Sequence, residues 1–151
     1  MEASRQPDPS NLDEEEIYFL LKIKKELSLD TPQEAVKLVA SVLQALRQTL
    51  SLEDAEQLLN ELPDFLKLAF AANWERSEQQ IQIEHLDEFV SLVMDRDEKS
   101  KKGLFKNEVQ TLTVVVLTLK KLQKVVNLEN FEGISPVFKQ ELRDVSSEAA
   151  A

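Results

Sequence analysis

Residues 111–119 read TLTVVVLTL, and how this stretch is read decides the fold. Threonine and valine favour extended backbone, so propensity alone makes it a buried strand. The surrounding pattern overrules that. Phe105, Val109, Leu112, Val116 and Leu119 recur at steps of three and four, and no glycine or proline interrupts Leu104 to Val126. A period sustained over that length belongs to a helix, because buried strands stop after about four to eight residues. The spacing therefore predicts a helix over 104–126.

The same period appears at 31–50, TPQEAVKLVASVLQALRQTL. Thr31 is a helix N-cap, Pro32 suits the first helical position, and Glu34 completes a capping box. Val36, Val39, Leu43, Leu46 and Leu50 then form a stripe that Leu38, Ala40, Val42 and Ala45 widen until little polar surface remains. Such a helix lies in a core or is partly covered by a partner. Changing Leu43 or Val116 to Asp is expected to prevent folding.

Working outward, a helix from Asp13 to Leu27 carries Ile17, Leu20, Leu21 and Lys24 on one stripe, with acids at its positive end. Ser51 and Asp54 start a shorter helix through Leu58 and Leu62, and Pro63 opens another, PDFLKLAFAANW. After Trp74 the polar ERSEQQIQI reads as a linker. Leu86, Phe89, Val90, Leu92 and Val93 mark the next helix, and Ser135-Pro136 opens a last short one bearing Phe138 and Leu142, before a tail that frays.

The two halves match each other. An offset of 73 pairs Val36 with Val109, Val39 with Leu112, Val42 with Val115, Leu43 with Val116 and Leu46 with Leu119. It continues through Ala55 on Leu128 and Leu58 on Phe131 to Pro63 on Pro136 and Phe65 on Phe138. Upstream, an offset of 72 pairs Ile17 with Phe89, Leu20 with Leu92 and Leu21 with Val93. The expected architecture is all-α: a helical bundle of two pseudo-symmetric repeats of three to four helices each. Tails occupy 1–12 and 146–151. Between them, a single domain at 13–145 comprises repeat 13–74, linker 75–83 and repeat 84–145.

The run Ser41-Val42-Leu43-Gln44-Ala45-Leu46, then Asp54-Ala55-Glu56-Gln57-Leu58, Leu62-Pro63 and Trp74, resembles the helical core of the bacterial domain-of-unknown-function family 2267. The likeness covers most of 14–142 in two copies, and departs where Ser135 replaces the leucine before proline and Gly133 precedes it. The resemblance implies the helical fold and carries no established activity.

Composition narrows the chemistry. With no cysteine, thiol catalysis, thiolate zinc sites and disulfides are excluded. The single histidine, His85, cannot build a ferritin-like dimetal site or a two-histidine zinc motif, and reads as a solvated helix terminus. Asp95-Arg96-Asp97 fails as a calcium loop because Lys99 and Lys106 stand where the loop needs an oxygen ligand and a bidentate glutamate, and Gly103 does not fall at the turn-glycine position. Gly103 and Gly133 are isolated, so no phosphate-cradling loop is present. No catalytic residue, metal ligand or cofactor is expected.

No stretch is long and apolar enough for a signal peptide or a membrane span, and a cytoplasmic location is expected. The formal charge of −10 argues against a nucleic-acid partner. The charge is uneven, however: Lys99 to Lys124 holds seven lysines against one acid, Glu108. Lys99, Lys101, Lys102 and Lys106 lie around Gly103, on an expected exposed helix start where the macrodipole disfavours cations. Together with Trp74 they are the candidate partner-binding residues. The expected function is a non-catalytic module that binds another protein, with a homo-oligomer left open. The alternative is a carrier that sequesters a small apolar ligand between the two repeats.

Overall fold

The computed structural model describes residues 14–75, 79–128, 131 and 134–150. Among them the elements are all helices: α1 (Glu14–Leu27), α2 (Pro32–Thr49), α3 (Leu52–Glu61), α4 (Asp64–Ala71), α5 (Leu86–Ser100), α6 (Glu108–Val125) and α7 (Pro136–Ala150). The tail expected at 1–12 lies outside the described residues. From 146, where the other is expected, α7 runs on to Ala150.

Local chemistry sets most helix starts. The Glu34 amide donates to Thr31 Oγ1, the N-cap bond of α2, while the Glu34 carboxylate accepts from the Asp30 amide, one residue before the N-cap whose amide a full capping box would use. Ser51 Oγ accepts from the Asp54 amide at α3. The stretch 111–119 is helical, as its period requires, but α6 begins at Glu108 and not at 104. Asn107 Oδ1 takes the Gln110 amide, and Gln110 Oε1 takes the Lys106 amide, the same pair of bonds as at Thr31 and Glu34, and this N-cap starts the helix later.

Two stripes are rotated from their expected faces. On α1 the buried residues are Phe19, Leu20 and Ile23, whereas Ile17 and Leu21 are exposed. The pairs at offset 72 therefore set exposed Ile17 against buried Phe89, and exposed Leu21 against buried Val93. On α6 Val109 is 75 % exposed, and the core is met by Thr111, Val114, Val115, Val116, Thr118, Leu119 and Leu122. Both helices are apolar on more than one side, so packing chooses the face, and the bulky Phe19 ring goes inward.

At the centre, α2 packs against α1, α4, α5 and α6, and α6 packs against α1, α2, α5 and α7. Leu43, Leu46, Leu119 and Leu122 meet there with at most 1 % of their surface exposed. The broad apolar surface of α2 is thus covered from within the chain. Between α4 and α5 the described part of the linker is tied down: the Ile81 amide donates to the Gln48 carbonyl and Gln80 Nε2 to that of Thr49. Among the described residues no helix is long and apolar enough to cross a membrane.

Candidate functional site

Beside α2, on the side facing α5, lies an open cleft of about 1180 Å³. Its α2 wall is the helix's polar edge, Lys37, Ser41, Gln44 and Gln48. The opposite wall is the last two turns of α5 and the loop after it. The lining carries the cations Lys37, Arg96, Lys99 and Lys102 against the acids Glu75, Asp95 and Asp97, a formal excess of one positive charge in a chain of net −10.

Asp97 shapes this wall. Only 5 % exposed, it accepts the Leu104 amide on Oδ1 and the Phe105 amide on Oδ2, each at 3.0 Å. These bonds fold the loop back over the end of α5. The turn needs positive φ at Lys101 (62°) and Gly103 (61°); the glycine takes that conformation freely, and the lysine takes it as a left-handed helix cap. Across the cleft Arg96 Nη1 donates to Gln48 Oε1, and Gln48 Nε2 reaches the Gln79 carbonyl.

The four candidate lysines are not on a helix start. Lys99 is in the last turn of α5 and Lys101 is its C-cap, where the helix dipole favours positive charge. The destabilisation expected of them on electrostatic grounds is therefore absent for these two. The structure brings Lys99 and Lys102 into the cleft, whereas Lys101 and Lys106 are exposed on the loop outside its lining.

Trp74 stands apart, with its ring engaged within the fold. The Arg47 guanidinium lies 5.6 Å from the ring centre, and Phe70 meets the ring edge-on at 6.0 Å. Arg47 is 3 % exposed and Nη1 donates to the carbonyls of Phe70 (2.8 Å) and Ala72 (3.0 Å), capping the end of α4. Trp74 lines a small separate cavity of about 60 Å³, which shares Gln48 and Glu75 with the main cleft.

Three polar residues that position these parts carried no decisive signal in the sequence. Arg47 interrupts an apolar stripe, and Asp97 sits in an acidic run that spacing tests only for calcium. Glu141 is the third: it accepts the Leu86 amide at 2.8 Å and pairs with His85 Nδ1 at 3.2 Å, tying α7 to the start of α5. His85 is solvated as expected, but the Glu141 hydrogen bond also holds its pKa above the ordinary 6.5. The Leu86 amide, then His85, hold Glu141 below 4.5, and the amides of Glu84 and His85 do the same for Glu88.

The fold and the cleft define an all-helical bundle with a charged groove beside its central helix. The chain belongs to the family whose model is described as "Uncharacterized conserved protein (DUF2267)", which matches residues 18–145. No curated protein matches the chain.

Proposed function

We propose that the protein is a non-catalytic, cytoplasmic bacterial module that binds the acidic segment of a partner protein in the cleft between α2 and α5. The observation that carries this reading is the reversal of charge at the cleft: lysines from α2, α5 and the following loop converge there, on an otherwise acidic molecule. Such a site attracts an anionic segment, while the acidic remainder of the surface repels nucleic acid.

The two halves are read as copies of one unit, and the helix contacts support this. α1–α2 matches α5–α6, α2–α4 matches α6–α7, and α2–α5 matches α6–α1, as a pseudo-twofold axis between α2 and α6 requires. The left-handed residues Ser28 and Lys101 keep the offset of 73, but the N-caps Thr31 and Asn107 are 76 apart. The difference is in the loop before the second long helix. Ser28 to Thr31 becomes Lys101 to Asn107, three residues longer. The repeat does not need those extra residues, and the lengthened loop supplies Lys102 to the cleft.

The test is affinity capture, with wild type, a Lys99→Gln/Lys102→Gln variant, and a Lys101→Gln/Lys106→Gln control whose changes lie outside the cleft. A stoichiometric protein partner should stay with wild type and control, weaken with the cleft variant, and weaken for all three as salt shortens the range of attraction below about 8 Å. Equal retention by all three proteins rules the cleft out. The carrier reading fits less well, since seven charged side chains line the cleft among its apolar residues Ala40, Ile81, Leu92 and Leu104. A small apolar molecule seen by native mass spectrometry of gently purified protein would restore it.

A further inference from the structure

Helix α1 has a second face that the described residues leave exposed. Phe19, Leu20 and Ile23 point into the core, and on the opposite side Glu14, Tyr18, Leu21 and Lys25 follow one another at steps of four, three and four. That spacing is a straight stripe along a helix, of the kind that forms a two-helix seam. Tyr18 is 71 % and Leu21 47 % exposed, with Ile17 (38 %) beside them. Glu14 and Lys25, also exposed, close the stripe at its two ends.

We propose that this stripe is a self-association surface on which α1 of a second copy of the chain packs antiparallel. The stripe is complementary to itself in that orientation. Setting Tyr18 against Leu21 of the second copy, and Leu21 against Tyr18 of the second copy, brings Glu14 opposite Lys25 at both ends of the seam. A parallel arrangement would oppose Glu14 to Glu14 and Lys25 to Lys25. The surface is the same on both copies, so the contact closes on a twofold axis and stops at a dimer. One helix face per copy is a small interface, so the dimer is weak and concentration-dependent. It shares no residue with the α2–α5 cleft and stands or falls independently of the partner proposed there.

Sedimentation equilibrium of the full chain, with circular dichroism confirming an unchanged fold in every variant, tests the seam. Wild type should shift from monomer to dimer with rising concentration, whereas Glu14→Lys alone and Lys25→Glu alone should each shift the transition at least tenfold higher, because each opposes like charges at both ends. An equimolar mixture of the two variants should regain dimer, since every end then pairs a lysine with a glutamate. Tyr18→Glu should abolish the association and regain nothing on mixing. A wild type that stays monomeric up to about 1 mM overturns the proposal and leaves the stripe to residues 1–13 or to another protein. A dimer unaffected by the charge changes, or a mixture that stays monomeric, overturns the antiparallel seam equally.

Discussion

The guanidinium of Arg47 sits over the indole of Trp74 while it caps the last carbonyls of α4, so one buried cation joins α2, α4 and the chain leading away from α4. Changing Arg47 to Leu removes two charge-assisted hydrogen bonds and leaves two carbonyls without this donor. The expected loss is about 3 kcal/mol of unfolding free energy, measured by urea titration. Trp74 is the sole tryptophan, so its fluorescence reports the site directly, and emission should shift before global unfolding. A loss below about 0.5 kcal/mol would mean that the cap is dispensable.

Asp97 makes a separate prediction. In Asp97→Asn one side-chain oxygen survives as acceptor and an NH2 group is set against a backbone amide. Destabilisation of about 1.5 to 3 kcal/mol is expected, the range for hydrogen bonds to a charged group. Hydrogen exchange at Leu104 and Phe105 should accelerate more than exchange within α2. Uniform acceleration across the chain would show that the carboxylate has no specific hold on the loop.

The α5–α7 tie should depend on pH at both ends of a window. His85 has a folded pKa above 6.5, so its contribution is fully present below the unfolded value and fades as pH rises through the folded one. Glu141 and Glu88 have folded pKa values below 4.5, so theirs is present above 4.5 and fades as pH falls through the folded values. The tie is therefore strongest between about pH 4.5 and 6.5, the ordinary values of these groups. An NMR titration should place the His85 midpoint above 6.5, and Glu141→Gln should bring it down. A midpoint that does not respond to Glu141→Gln would remove Glu141 as the cause.

Thr118 and Thr111 offer a paired comparison on one helix face. Both are buried, but Thr111 Oγ1 donates to the Asn107 carbonyl at 2.8 Å, whereas Thr118 Oγ1 meets no hydrogen-bond partner among the described residues. Thr118→Val keeps the shape and removes a buried hydroxyl, so stability should rise by about 1 kcal/mol. Thr111→Val removes a bond that is made and should lower stability by a similar amount. The thermal midpoints of the two variants should move in opposite directions. A fall for both would sink the distinction.

How far the sequence could be read depended on the range of each interaction. The period through 111–119 and the caps at Thr31 and Ser51 act within a turn or two of the chain, and each was legible from neighbouring residues alone. The N-cap Asn107, which takes the Gln110 amide, was equally local and open to the same reasoning, but the strong apolar period beginning at Leu104 masked it.

The sequence by itself determined that the chain is helical, where α2, α3 and α4 begin, and which residue types are lacking for thiol or histidine-pair chemistry, because bonding geometry within a turn and atomic composition need no tertiary context. Only the tertiary structure decided which face of α1 and α6 is buried, since both helices offer more than one apolar side and burial goes to the one that fits its neighbours. It also decided that Lys99 and Lys102 share a cleft with Lys37 while Lys101 and Lys106 do not, through a loop that Asp97 folds back. Arg47 reaches carbonyls 23 and 25 residues away, and Glu141 an amide 55 residues away. Such partners are chosen by how the helices pack, which no local pattern encodes.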